Sequence, residues 1–535
     1  MVLDVTGEVA VDQVTEKERS LWLLQQLVPA SGVSNIPVGL RIEGHVRWWP
    51  MQQAMNLVVA RHPALRTVYR ADGDVLHKHV SDVEVGIETV PVSEIGLDDV
   101  LAEFAARPFV LDGVPLVRAG LFPSSKGDVF CVVAHHLVFD AASVRVLIHD
   151  LLTAYAHFSN DVPLPPGWTD EVPGPGELSS SPETRSFWSE LLAGARPGGM
   201  KLRIGRSEPA SPTLAGEVLR LDLPAATVLT TRSLSKRAKT TENAVYLAAF
   251  YLLLLRNGAA EDLVVGVPID VHGARRTDSI GNHANTFALR LLVSRDWSFA
   301  ELARRTRDLL VDVMRNRAMP ADDFLEHLRG DPAEWRTTPF RHMFNYLPVA
   351  MTDDLTLDEG RVRTFRLHNG SSRFDFEFLV MPGADGTGLR ITYSKEVHDR
   401  AELEKLAAEY DALLTAVAAD PDRSLDEVLP PSPNRTPASA VVADAPAGAS
   451  PHAGEVDEEL VSQLVALWER LLKRSDLTPD SHFFTEGGRS LLAARLVQEA
   501  GRIAGVKVKL NRLFAAPTPR GLAAHIIVAR TESAG

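Results

Sequence analysis

Two adjacent histidines, His135 and His136, have the side-chain type and spacing for acid–base chemistry. They follow the apolar run VFCVVA (129–134), and Asp140 lies four residues after His136. Because successive side chains of a strand point to opposite faces, a strand that ends in two histidines can present one to a cleft and bury the other. The unperturbed imidazole pKa of about 6.5 suits proton transfer at neutral pH.

Two other interpretations of these residues remain open from their spacing alone. The simpler is a buried structural His–Asp pair, with no role in chemistry. A metal site is less favoured because no third ligand lies at a useful spacing. We therefore predict no metal.

Ser490 is the second residue that could carry chemistry. It follows Gly487 and Gly488 in the segment DSHFFTEGGRSLL (480–492) and opens a predicted helix. A hydroxyl there faces free backbone N–H groups and the positive end of the helix dipole, which would support an attached phosphodiester. The alternative is an ordinary Gly-Gly turn with Ser490 as the helix N-cap.

The elements that position these residues predict two α/β lobes and a helical tail. Strand character at 37–42, 129–134 and 262–268 alternates with helical patterns at 51–61, 143–158, 241–256 and 299–314. The Pro-rich stretch 163–182 separates the two lobes. In the tail, apolar pairs from Leu460 to Leu472 recur at helical spacing, and further helices are predicted at 490–500 and 520–529.

A linker separates the large body from the tail. Residues 430–454 contain six Pro, seven Ala and two formal charges, and they have too little apolar surface to form a core. We predict a large domain at 1–429, with lobes at about 1–162 and 183–429, a flexible linker at 430–454 and a tail domain at 455–535.

Composition excludes several classes of function. The chain has 535 residues and a net charge of −14, without a Lys/Arg run, which argues against nucleic acid or a membrane surface as partner. Its start lacks a secretion signal, and its one cysteine, Cys131, cannot form an internal disulfide. We predict a cytoplasmic enzyme.

The segment HHLVFDA (135–141) resembles the HHxxxDG motif of nonribosomal peptide synthetase condensation domains. Other segments resemble motifs of that family in the family's order: TEKERSLW (15–22), RHPALRT (61–67), Pro108 and Phe109, PLVR (115–118), IGNHANT (280–286), Arg373, Phe374, Asp375 and Tyr393. The resemblance covers about residues 10–430. It implies two chloramphenicol-acetyltransferase-like lobes in a V, with a tunnel that meets at the second histidine.

The resemblance also implies roles for individual residues. His136 takes the catalytic position, His135 a supporting one, and Asp140 is structural and held by an arginine, for which Arg275 and Arg276 are the candidates. Ala141 replaces the glycine of the motif and adds a methyl group near the reacting thioester. The motif IGNHANT places Asn285 in the vicinity of the active site.

The tail resembles a peptidyl carrier domain, a small all-α bundle of four helices. The residues that carry the resemblance are Phe483, Phe484, Gly487, Gly488, Ser490, Leu491, Pro517 and Thr518. It implies that Ser490 carries a covalent 4′-phosphopantetheine arm, whose thiol holds an aminoacyl or peptidyl thioester.

Together, the two resemblances predict a condensation–carrier didomain that forms an amide bond. The expected partners are an upstream donor carrier protein, an adenylation enzyme acting in trans, a phosphopantetheinyl transferase and a downstream condensation or release enzyme. Two alternatives are an ester-forming enzyme with a hydroxyl acceptor and a scaffold whose large domain only docks partners.

Overall fold

Two six-stranded β-sheets and the helices that cover them form the large body, and a group of helices follows it. The computed structural model describes residues 14–533, except 73–74, 93–95, 173–179, 196–199, 201, 208, 210–211, 272–277, 320–339, 348–354, 359, 384–385, 430–456, 473, 484–485, 487–489, 507, 509–511 and 514–515.

The strands of the first sheet come from two distant parts of the chain. They are β1 (Asn35–Ile42), β4 (Ile87–Thr89), β5 (Val117–Phe122), β6 (Asp128–His135), β11 (Leu355–Leu357) and β12 (Gly360–Arg366), and β2 (Thr67–Asp72) and β3 (Val75–Val80) form a separate hairpin. Their order is β11-β12-β1-β6-β5-β4. Strands β11 and β12 follow most of the second lobe in sequence, so residues 355–366 join the two lobes.

Helices cover the first sheet and enclose its apolar strands. They are α1 (Glu16–Leu27), α2 (Trp48–Arg61), α3 (Pro63–Arg66), α4 (Leu97–Ala106) and α5 (Ser143–Asn160). Strands β5 and β6 are buried along their whole lengths. Helix α2 is tied to α5 because Arg61 Nε and His62 Nε2 both contact Asp150 Oδ2, at 2.9 and 2.8 Å.

The second lobe repeats the pattern of a sheet with covering helices. Its strands are β7 (Gly216–Leu223), β8 (Asp262–Asp270), β9 (Ala284–Leu292), β10 (His342–Tyr346), β13 (Phe376–Pro382) and β14 (Thr387–Ser394), in the order β7-β14-β13-β10-β8-β9. Its helices are α6 (Pro182–Leu192), α7 (Ala225–Arg237), α8 (Glu242–Arg256), α9 (Phe299–Arg315), α10 (Arg400–Ala419) and α11 (Leu425–Val428).

Helix α8 is the centre of the second lobe's core. Its residues from Ala244 to Leu255 are all buried, and Thr241 caps its start by accepting a hydrogen bond from the N–H of Ala244. A helix that is apolar on every side must be enclosed by protein. The predicted helices at 143–158, 241–256 and 299–314 and the strands at 37–42, 129–134 and 262–268 are all confirmed, with ends that differ by a few residues.

The tail is helical in the part that the structure describes. It contains α12 (Glu458–Leu472), α13 (Ser490–Ala504) and α14 (Pro519–Ser533). Leu464, Trp468, Leu496 and Leu522 are buried in its core. The two-lobed α/β body and the helical tail confirm the predicted fold class. The predicted linker lies outside the described residues. None of the described helices is both long and apolar enough to cross a membrane.

Candidate active site

The end of β6 positions the two histidines. His135 is the last residue of the strand and pairs with Asn35 of β1. The chain then turns, and the N–H of His136 donates to the carbonyl of Ser34 at 2.7 Å. His135 is buried, whereas His136 is partly exposed. The predicted contrast between a buried and an accessible histidine is therefore what the structure shows.

The ring of His136 is held in one tautomer. Its Nδ1 lies 3.0 Å from the carbonyl oxygen of Phe139. A carbonyl only accepts, so Nδ1 carries the proton and donates it, which leaves the lone pair on Nε2. Nε2 is therefore the atom of His136 that can accept a proton from a substrate.

The surroundings of His136 keep its ring neutral. Burial, followed by the positive charges of Arg373 and Lys17, lowers the pKa of His136 to about 4. The carboxylate of Asp140 and the carbonyl of Phe139 oppose that change. At neutral pH the imidazole is therefore in its neutral form.

His135 serves the fold of the loop. Its Nδ1 accepts the backbone N–H of Leu137 at 3.1 Å, and its ring packs edge-on against Phe109 with the centroids 6.0 Å apart. Burial, then the charges of His136 and Arg373, lowers its pKa to about 3. A ring that stays neutral and has no exposed surface supports the neighbouring turn.

Asp140 fastens this loop to the second lobe. Its Oδ1 accepts from the N–H and hydroxyl of Ser143 at 2.9 and 2.8 Å, and its Oδ2 accepts from the N–H groups of His283 and Ala284 at 2.8 and 3.0 Å. The hydroxyl of Ser143 also accepts from Gly281 N–H at 3.0 Å. We call Asp140, Ser143 and residues 281–284 the Asp140 corner.

The hydrogen bonds of the Asp140 corner decide the charge of the carboxyl. Burial alone would raise the pKa of Asp140. The hydrogen bonds from Ser143 and the neighbouring His283 outweigh burial and hold the pKa below its usual range. The group is therefore a buried carboxylate. The predicted partners Arg275 and Arg276 lie outside the described residues, so that assignment stays a prediction.

Lys17 and Arg373 were not singled out as site residues from the sequence. Lys17 Nζ donates to the carbonyl oxygens of Asn282 at 3.1 Å and Ala284 at 2.5 Å, so α1 also contacts the second lobe here. Both residues lie inside segments that resemble family motifs, which was the available signal. The motif resemblance did not indicate that either residue lies near His136.

Ala141 and Asn285 occupy different surroundings. Ala141 is exposed, and its backbone does not adopt a positive φ. Its position therefore does not require the glycine of the motif. Asn285 is buried, and its side-chain amide donates to the carbonyl of Met319 at 3.2 Å. Their proximity to a substrate stays a prediction.

Ser490 is the first residue of α13, a helix of fifteen residues. The N–H groups of its first turn have no partners within the helix and can contact an anion. This fits a phosphodiester at the helix start. Residues 487–489 lie outside the described residues. Among the described residues, no group of three or more His, Cys, Asp or Glu side chains could hold a metal ion.

The condensation-domain family matches residues 13–437 of the chain. The chain belongs to this family. A second match, described as a phosphopantetheine attachment site, covers residues 462–526. The large body and tail are therefore a condensation domain and a carrier domain of the nonribosomal peptide synthetase type, and the carrier is of the class that takes a 4′-phosphopantetheine arm.

Similar proteins are large synthetases. A linear gramicidin synthase protein of Brevibacillus parabrevis is 27% identical over 435 residues, which are 77% of this chain and 8% of that protein. The dimodular nonribosomal peptide synthase of Bacillus subtilis (strain 168) is 28% identical over 527 residues, 92% of this chain and 21% of that protein. The chain thus spans a small part of the relatives that it matches.

Solved structures agree with the fold. The X-domain from teicoplanin biosynthesis has a TM-score of 0.68 at 22% identity, covering 79% of this chain and 99% of that one. The first condensation domain of the calcium-dependent antibiotic synthetase, in complex with a substrate analogue, has a TM-score of 0.63 at 19% identity, covering 78% and 99%.

Proposed function

We propose that the chain forms an amide bond between an acyl or peptidyl thioester, delivered by a partner carrier protein, and the amine of an aminoacyl thioester on its own carrier domain. The observation that carries this proposal is the neutral, partly exposed imidazole of His136 with its free lone pair on Nε2. It stands at the end of β6 on a loop that is fastened to both lobes.

The reaction with an amine acceptor does not require a strong base. The acceptor nitrogen bonds to the thioester carbon, the C–S bond breaks, and the proton lost by nitrogen passes through His136 Nε2 to the leaving thiolate. An α-amino group has a pKa of about 7.7–8.0, so a useful fraction is already neutral near pH 7.5. A base whose pKa is about 4 is weak, which suits an amine better than a hydroxyl acceptor.

Two positively charged residues, Lys17 and Arg373, act on His136 and on the oxygen of the substrate in different ways. The positive charges of Lys17 and Arg373 disfavour an imidazolium at His136. The same charges favour a negative oxygen, which develops on the thioester carbonyl as the tetrahedral species forms. We propose that Lys17 and Arg373 contribute to stabilising that oxygen, while His136 orients the amine and handles its proton.

Ser490 is the proposed attachment residue, because it begins α13 and its segment matches the carrier motif. The attached arm supplies a thiol that holds an acyl group as a thioester. A phosphopantetheinyl transferase would install it, an adenylation enzyme would supply the acceptor amino acid, and a downstream condensation or release enzyme would take the product.

Two other functions remain testable. An ester-forming enzyme would use a hydroxyl acceptor and would depend more strongly on His136 as a base. A docking scaffold is the second alternative, and the X-domain of teicoplanin biosynthesis has been solved in complex with OxyB, at a TM-score of 0.66 and 22% identity to this chain. That complex concerns the X-domain, with which this chain shares the fold.

Intact-protein mass spectrometry on the full didomain tests the proposal. A phosphopantetheinyl transferase loads Ser490 from matched aminoacyl- and α-hydroxyacyl-coenzyme A substrates, which release adenosine 3′,5′-bisphosphate, and acyl thioester donors are then supplied. We expect a mass gain with amine acceptors, and a rate that His136→Ala lowers by about 10²-fold or less, against about 10²–10⁴-fold for hydroxyl acceptors. Exposed His149 on α5 provides the matched control, His149→Ala, which should not change the rate.

Three results would contradict the proposal. Transfer to hydroxyl but not to amine acceptors would support the ester function. The scaffold function would be supported if no acyl group were transferred to a loaded carrier. In a reconstituted pathway, the His136→Ala variant would then yield as much product as the unaltered chain. A Ser490→Ala variant that still accepts the arm would place the attachment at another residue.

A further inference from the structure

A cavity of about 1050 Å³ lies between the two lobes and is lined by several basic side chains. Arg220 of β7 and Arg390 of β14 come from the second sheet, and Arg366 of β12 comes from the first. His368 and Thr364 also line it. We call this feature the arginine cavity.

The arginines of this cavity stand close together without an acidic partner. Arg220 and Arg390 are directly opposite one another in the β7–β14 pair, an arrangement that is unfavourable for like charges. Burial, then the charge of Arg220, lowers the pKa of Arg390 to about 10. Among the described residues, no carboxylate lies within ion-pair distance of Arg220, Arg366 or Arg390.

Among the described residues, the carboxyl groups near the cluster make no ion pair with it. Glu377 of β13 is the carboxyl whose charge acts on both Arg366 and Arg390, and burial raises its pKa. Asp98, Glu103 and Asp222 line the cavity as exposed side chains. Arg220 is exposed as well, so water and salt screen its charge and theirs alike, whereas Arg366 and Arg390 are partly buried.

Some polar groups of the cavity are bonded to backbone carbonyls, and others have no hydrogen-bond partner. Arg220 Nη2 donates to the carbonyl of Arg366 at 3.1 Å, and Arg390 Nη2 to that of Leu367 at 3.4 Å. Three buried polar atoms have no partner among the described residues: Arg390 Nε, His368 Nε2 and Thr364 Oγ1. The unpartnered Nε of Arg390 and the hydroxyl of Thr364, beside arginines that form no ion pair, fit a ligand that brings a negative charge and several acceptor lone pairs.

The arginine cavity adjoins the loop of His136. Asn369 lies between the lining residues His368 and Gly370, and its side-chain amide donates to the carbonyl of Asn35 at 2.9 Å. The carbonyl of the preceding residue, Ser34, accepts the N–H of His136. The charge of Arg373 acts on both His136 and Glu377. Two hydrogen bonds therefore link the segment that lines the cavity to the backbone at His136.

We propose that the arginine cavity binds a carboxylate carried by the acyl group of the donor thioester. This inference rests on the proposed condensation function and adds the substrate class. The volume of the cavity suits an extended acyl group, and we assign it to the donor. A carboxylate is favoured over the phosphate of the arm, because the phosphate is at the opposite end of the arm from the thioester.

The test compares two donors that differ in charge and are nearly equal in shape. Adipoyl-pantetheine, which ends in a carboxylate, and its ω-carboxamide are supplied to the holo didomain with an amine acceptor on Ser490. We expect kcat/KM for the carboxylate donor to exceed that for the carboxamide donor by about 10-fold or more. Arg390→Gln and Arg220→Gln should each reduce that ratio toward one.

The control variant is Arg363→Gln on β12. Its side chain is 71% exposed, and it is not part of the cavity. The ratio should not change in this variant. Arg390→Gln should also leave Tm equal or higher, because it removes one of two opposed like charges. A residue with a purely structural role would instead lower Tm without changing the donor ratio.

Calorimetry separates failure of this inference from failure of the proposed function. A non-transferable amide analogue of adipoyl-pantetheine should bind the holo didomain about 10-fold more tightly than its carboxamide, and Arg390→Gln should abolish the difference. If no donor is condensed but this difference is present, the proposed function fails and the cavity assignment stands. Equal binding of both analogues overturns the assignment. So does an Arg390 effect that appears only when phosphopantetheine replaces pantetheine, since the phosphate would then be the anion.

Discussion

The loop from His135 to Ser143 has a buried side and an accessible side, which differ in what their side chains contact. On the buried side, Asp140 accepts four hydrogen bonds and His135 fixes the N–H of Leu137. On the accessible side, His136 keeps a lone pair on Nε2 and Ala141 is exposed. The motif HHLVFDA therefore contains both a structural support and a reactive group.

This difference explains why neighbouring residues of one motif should respond differently to substitution. The buried side determines where the loop is, because Asp140 holds backbone of the second lobe. The accessible side carries His136, the residue proposed to react. Substitutions on the buried side should change stability and activity together, whereas at neutral pH His136→Ala should change activity more than stability.

The largest effect on stability is expected for Asp140→Ala. The variant removes the acceptor of four donors, three backbone N–H groups and one hydroxyl, and leaves them buried. Loss of one partner from a buried charged network costs about 3–5 kcal/mol. Urea unfolding should therefore show a loss of this size, and product formation should fall with it because residues 281–284 are released.

Two comparisons sharpen the Asp140 prediction. Asp140→Asn keeps the shape but retains one acceptor oxygen, so its loss should be intermediate. Asp82→Ala removes a fully exposed carboxylate and should change the unfolding free energy by about 0.5 kcal/mol or less. If Asp140→Ala is as stable as Asp82→Ala, the Asp140 corner does not hold the lobes together.

The pH dependence of stability should report the neutral state of His135 in the folded chain. In the unfolded chain, histidine has a pKa of about 6.5, whereas in the folded chain the pKa of His135 is about 3. Between those pH values the unfolded state binds the proton and the folded state does not. The free energy of unfolding is therefore greatest above pH 6.5 and decreases as pH falls. One such histidine contributes a loss of about 2 kcal/mol between pH 7 and pH 5.

His135→Asn should remove that part of the acid sensitivity while keeping an acceptor for Leu137 N–H. Urea unfolding of the variant between pH 7 and pH 5 should show a fall smaller by about 2 kcal/mol. The carboxyl groups of the unfolded chain remain largely ionised in this range, so they do not obscure the result. If the unfolding free energies of the variant and the unaltered chain decrease equally between pH 7 and pH 5, His135 does not remain neutral in the folded chain.

Much of the site could be predicted from the sequence because its residues lie close together in the chain. The run VFCVVA predicts a buried strand, and the two histidines and Asp140 follow it within six residues. The same reasoning could not find Lys17 or Arg373, whose effect on His136 depends on how α1 and the second lobe approach the loop. The backbone donors at 283 and 284 were also missed, because a backbone N–H has no sequence signature.

The arginine cavity shows the same limit more clearly. Arg220, Arg366 and Arg390 come from three strands of two sheets, and each alone resembles any surface arginine in the sequence. Their juxtaposition depends on residues 355–366 joining the first sheet. Alternating hydrophobicity predicts that these segments are strands, but it does not predict which sheet accepts them.

Ala141→Gly should have the smallest effect. The residue is exposed and has an ordinary φ, so glycine gains no conformation that alanine lacks. The variant should lose about 0.4–1 kcal/mol of stability through greater freedom of the unfolded chain, and its condensation rate with small acyl donors should stay within about 2-fold. Urea unfolding and the mass-spectrometric transfer assay measure both. A rate increase of about tenfold or more would show that the methyl group of Ala141 restricts the approach of the thioester, and the accessible side of the loop would then select substrates as well as react with them.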